Sequence, residues 1–124
     1  MLDHLPDLAK DVVMKFAAKP PRDTLQRFPL HRAAQRGDLA ECQRLIAEGH
    51  DVNALDEDGE MPLHFSAWYG QVEVTRFLVN NGADVNSASA TYPDGTPLQW
   101  AAETGQVEIT RILEEAGAHD PMMN

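Results

Sequence analysis

Three stretches of this chain are versions of one another, and that constrains the fold more than any other feature. Gly59 to Asn86 reads GEMPLHFSAWYGQVEVTRFLVNNGADVN. Phe28 to Asn53 reads FPLHRAAQRGDLAECQRLIAEGHDVN, and Thr96 to Asp120 reads TPLQWAAETGQVEITRILEEAGAHD. Pro29, Pro62 and Pro97 match, as do Gly37, Gly70 and Gly105, and Gly49, Gly82 and Gly117. The prolines are spaced by 33 and then 35 residues. Self-similarity at that period signals supersecondary units stacked side by side, each burying its apolar face against its neighbours.

The local pattern within a unit is helical. Each proline sits where a helix begins, at the first-turn position whose missing N–H goes unused. Leu30, Leu63 and Leu98 follow as expected core. The small pairs Ala33–Ala34, Ser66–Ala67 and Ala101–Ala102 let neighbouring helices approach closely. The glycines at 37, 70 and 105 then fall where a left-handed residue closes a helix. Second helices are expected over about 39–48, 72–81 and 107–116, closed by Gly49, Gly82 and Gly117. Their apolar faces are Leu39, Leu45 and Ile46; Val72, Val74, Phe77, Leu78 and Val79; and Val107, Ile109, Ile112 and Leu113.

The PLHxAA-like starts, the mid-unit glycine and GADVN at Gly82 to Asn86 resemble the ankyrin repeat family over Asp23 to Asp120. The resemblance implies a mostly α solenoid of antiparallel helix pairs joined by hairpin-like loops. Residues 1–22 are expected as an N-terminal cap: Leu5, Leu8, Val12 and Phe16 share one helical face, and Pro20 and Pro21 end that helix. The repeats are expected at 23–55, 56–88 and 89–120, with a frayed tail at 121–124. In the family pattern a Thr before the Pro caps the first helix and meets the His two residues after it. Phe28 and Met61 replace that Thr while His31 and His64 remain; the third unit keeps Thr96 but has Gln99. Both His are therefore read as structural remnants, with no ligand spacing around them that suits a metal. Glu114 stands where Ile46 and Val79 stand earlier, as befits a polar outer face on a terminal unit.

Chemistry-bearing motifs are missing. There is no GxSxG, phosphate-binding loop, dinucleotide glycine fingerprint, HExxH or CxxC. The segment Asp51 to Pro62 fails as an EF-hand, because Leu55 and Pro62 occupy ligand positions. No enzyme activity, cofactor or metal is expected. Cys42 is alone, the first residues carry acids rather than a long apolar run, and no stretch of 18 apolar residues occurs. A cytoplasmic setting and no membrane contact are expected.

Charge narrows the partner. Residues 1–50 hold eight Lys/Arg and seven Asp/Glu, net +1; residues 51–124 hold two and thirteen, net −11. A field of that sign repels nucleic acid and steers a basic protein inward, or serves solubility alone. The resemblance implies a concave binding surface built from loop tips and the exposed side of the first helices. The positions that fall there are Arg36 in the first repeat; Leu55, Glu57, Asp58 and Glu60 in the loop before the second; Trp68 and Tyr69 at the end of its first helix; and Tyr92, Asp94 and Glu103 in the third. The loop tip at Thr24, Leu25 and Arg27 belongs to the same surface. Trp and Tyr dominate interface energies, so Trp68 and Tyr69 are the expected anchors; the alternative for Trp68 is packing over its own loop. Phe65 and Trp100 read as seam packing. The function expected is recognition of another protein by a monomer. Narrower alternatives are an inhibitor or immunity protein that blocks a basic enzyme or toxin, and a scaffold or self-associating protein.

Overall fold

The computed structural model describes residues 28–90 and 95–118. The expected cap at 1–22, the tip at Thr24, Leu25 and Arg27, the tail at 121–124, Tyr92 and Asp94 lie outside the described residues. Within them are six helices: α1 (Pro29–Arg36), α2 (Leu39–Ala47), α3 (Pro62–Trp68), α4 (Val72–Asn80), α5 (Pro97–Glu103) and α6 (Val107–Glu115). They form three antiparallel pairs. Each first helix packs on its own second helix and on the first helix of the adjoining repeat, and second helices likewise touch their neighbours.

Local sequence explains where each helix starts and stops. A proline occupies the first turn of α1, α3 and α5. Gly37 follows α1 with φ 72°, and the Asp38 N–H then reaches back to the Ala33 carbonyl at 3.0 Å. A Cβ there would cost roughly 1 kcal/mol in that left-handed conformation. Asp38 caps α2, its carboxylate accepting the Glu41 N–H at 3.1 Å. Gln71 and Gln106 hold the equivalent position before α4 and α6 without capping them. The Gln71 amide instead donates to the Gln35 carbonyl of the preceding repeat at 2.9 Å.

The core is one continuous seam. Leu30, Leu63 and Leu98, the alanines 33, 34, 67 and 101, and Leu45, Leu78 and Leu113 are buried along it. Phe65 and Trp100 are buried as expected. One expectation fails here. Val107 is 74% exposed, because no further repeat covers that corner of α6 among the described residues. In the central repeat, a buried hydroxyl pair closes the core, with Thr75 donating to Ser66 at 2.8 Å and Ser66 to the Leu63 carbonyl at 3.2 Å.

The two histidines do more than persist as remnants. The Nε2–H of His31 donates to the Glu60 carbonyl at 2.7 Å, and that of His64 to the Gly95 carbonyl at 2.8 Å. Each ring thus ties its repeat to the loop of the following one. The Nδ1 of His64 accepts the Met61 N–H at 2.9 Å, so a backbone amide takes the place of the missing threonine hydroxyl. With Nδ1 an acceptor and Nε2 a donor, His64 is the neutral tautomer. Burial drives its pKa down to about 4, and burial also lowers that of His31. Asn53 makes a parallel tie near the surface, donating to the Gly82 carbonyl and accepting the Asp84 N–H.

Candidate functional site

The candidate surface is built from register. Gln35, Trp68 and Glu103 hold matching positions at the ends of α1, α3 and α5, and Arg36, Tyr69 and Thr104 come next. Adjacent packing of these three helices sets the residues side by side. Arg36 and Glu103 are exposed, and Arg32, one turn before Arg36, is exposed as well. Arg32 was absent from the expected set. Its equivalents Phe65 and Trp100 are core, so only the break in that column marked it.

Trp68 packs on the following repeat. It is half-buried, and its ring meets Trp100 edge-on with centroids 5.6 Å apart at 76°. Trp100 in turn meets His64 at 5.2 Å. Tyr69 is 39% exposed. A column of rings, His64, Trp100 and Trp68, therefore runs outward from the seam, and the exposed Tyr69 follows Trp68 in the chain. The Thr104 hydroxyl, at the Tyr69 position of the third repeat, folds back onto the Trp100 carbonyl at 2.8 Å.

The acidic turn is a separate feature. Asp56 accepts the N–H groups of Asp58 and Glu60 at 2.9 and 3.0 Å, and its own N–H donates to the Glu60 carbonyl at 3.0 Å. Leu55, 56% exposed, and Glu57, exposed, project from it, with Asp58 half-exposed. Glu60 corrects the expectation. It is 2% exposed, and its carboxylate accepts the Ser89 hydroxyl at 3.0 Å, so it braces the following loop and offers nothing to a partner. This turn precedes α3, whereas Trp68 and Tyr69 end it. Seven residues of helix separate the two features by roughly 10 Å.

Carboxylate oxygens of Asp56, Asp58 and Glu60 lie within 4.8 Å of one another, the one grouping of metal-ligating side chains among the described residues. Asp56 and Glu60 already accept protein donors. Cys42 is buried, and burial raises its thiol pKa to about 11, which leaves it an inert core residue. No helix among the described residues is long and apolar enough to cross a membrane.

Comparison with known proteins places this geometry. A family model for ankyrin repeats, three copies, matches residues 7–89 and 30–123. The chain is 34% identical over 94 residues to mouse protein phosphatase 1 regulatory subunit 27, covering 71% of this chain and 60% of that protein. It is 44% identical over 59 residues to palmitoyltransferase akr1 of Schizosaccharomyces pombe, covering 47% of this chain and 9% of that one. The chain thus spans less than two thirds of the length of either relative. The crystal structure of the human ASB11 ankyrin repeat domain superposes with a TM-score of 0.69 at 35% identity, over 73% of this chain and 40% of that one. On these grounds, and on the repeats themselves, the chain belongs to the ankyrin repeat family.

Proposed function

We propose that this chain is a non-enzymatic, monomeric, cytoplasmic module that recognises a basic partner protein through the exposed ends of its first helices and the loop before α3. Ankyrin repeats generally mediate protein–protein interaction. The observation that carries the finer reading is Tyr69 standing exposed beside a Trp68 ring braced on Trp100. A rigid aromatic costs little entropy to immobilise and gains much area on contact, which makes it a good anchor. Leu55 adds a second exposed apolar side chain, and Glu57, Asp58 and Glu103 supply the charge that steers a basic partner. Arg36, and Tyr92 and Asp94 from the longer second loop, complete the proposed surface.

A narrower form is regulation of an enzyme by occupying its surface. The net charge of −11 over residues 51–124 and a relative named as a phosphatase regulatory subunit favour it over a scaffold.

The test is capture from lysate on immobilised protein at low and high salt, followed by mass spectrometry. It is run alongside Tyr69→Ala and Glu57→Lys/Asp58→Lys. The expected result is a basic protein that elutes with salt and is lost with either variant. Capture unchanged by both variants rejects the surface.

A further inference from the structure

Two copies of one interface inside the molecule show what a third copy of the same surface would take. The glycine closing each first helix is a seat. A Cβ on Gly37 would collide with the Gln71 side chain, and one on Gly70 would lie 2.8 Å from Gln106 Oε1. Both seats are filled by the glutamine that opens the second helix of the next repeat. Gln71 also donates to the Gln35 carbonyl. Two residues after Gln106, Glu108 accepts from Arg76 across the same seam at 3.3 Å. The sequence between is Gln106–Val107–Glu108, and Gln71–Val72–Glu73 repeats it.

On the third repeat no described residue covers the same surface. Among the described residues nothing lies within 4 Å of a Cβ on Gly105. Ala102 is exposed where Ala34 and Ala67 are fully buried. Arg111 holds the register of Arg76 and pairs with no carboxylate among the described residues. With Val107, Thr110 and Glu114 these residues line an open recess of about 390 Å³.

We propose that this face docks a partner helix that opens Gln–aliphatic–Glu. The glutamine fills the Gly105 seat, the body of the helix covers Ala102 and Val107, and the glutamate pairs with Arg111. Glu114 shapes the remainder. It replaces Ile46 and Val79, which pack against the core, so the far end of this face is polar and the occupant is held through its opening turn. A second copy of this chain does not fit. Both of its Gln–Val–Glu openings are spent in its own seams, and its first repeat presents Asp38–Leu39–Ala40 instead. This face is distinct from the Tyr69 surface, so either proposal stands without the other.

The test is an amide-shift titration of the isotope-labelled full chain with a stapled peptide of sequence QVEVTRFLVNNGA, that of residues 71–83, whose two charges cancel. Staples are needed because a helix of that length is marginal in water. Saturable shifts are expected at Gly105, Val107, Thr110 and Arg111. Replacing the peptide's glutamate with lysine, or Arg111→Glu in the protein, weakens binding about fivefold, as for loss and reversal of an exposed ion pair. Arg111→Glu leaves the melting curve in place, and Tyr69→Ala leaves the titration unchanged. Absence of shifts at those four amides, shifts confined to the Tyr69 surface, or indifference to Arg111→Glu would each overturn the proposal.

Discussion

The central and third repeats are nearly the same brick, yet they bury different things. Val72 is partly buried against the core, while its counterpart Val107 is 74% exposed. Ala67 is sealed and Ala102 is open. His64 ties the central repeat forward to Gly95, and Gln99 holds that place in the third. In this architecture a side chain's environment is decided by the neighbouring unit as much as by its own sequence. Identical residues are therefore worth different amounts in different copies.

Substitutions can break that contrast, beginning with the deepest. Phe65→Ala empties a fully buried ring site and should lower the unfolding free energy by about 4 kcal/mol in urea titration. A loss under 1 kcal/mol would mean that the central seam is slack. Next comes pH. The folded His64 pKa, about 4, lies below the ordinary 6.5. The unfolded chain then binds more protons through that interval, and stability falls as pH drops from 6.5 toward 4. The loss from His64 should approach about 3 kcal/mol by pH 4, with His31 adding in the same direction. His64→Gln installs the third repeat's side chain in the central one and should remove most of that slope. An unaltered slope would place its origin elsewhere.

Glycine substitutions separate conformation from packing. Gly70 and Gly105 share φ 73°, but only Gly70 has Gln106 against it. Gly105→Ala should cost about 1 kcal/mol for backbone strain alone. Gly70→Ala should cost about 2 kcal/mol, because it displaces that amide as well. Equal costs would show that the seat contributes nothing. Val107→Ala, the smallest change, should alter stability by no more than about 0.5 kcal/mol; a larger loss would show that the outer face is covered in solution.

How much of this was readable in the residues depends on which physics set each feature. Helix limits follow from prolines and glycines acting locally, and α2, α4 and α6 end within a residue of their expected bounds. The core leucines followed from the repeat register. Glu60 was misread because its burial depends on Ser89, 29 residues away, and charge composition carries no such information. Val107 was misread because periodicity reports which side of a helix is apolar and is silent on whether anything lies opposite. The histidines were undervalued for a related reason. Their partners are backbone carbonyls, which have no signature in a sequence. Tyr69 emerged from register alone, whereas the distance between the rings and the acidic turn needed α3 to be placed.

The inter-repeat ties through His31, His64, Gln71, Asn53 and Arg76 each link residues 29 to 36 positions apart. Ties of that reach let order spread from one unit to the next like a closing zip, since no step waits for remote ends of the chain to meet. The same reach runs in reverse: loss of an outer unit strips its neighbour of one set of partners while leaving the other set in place. Partial unfolding should therefore begin at the extremities and travel inward, with the middle brick the last to melt.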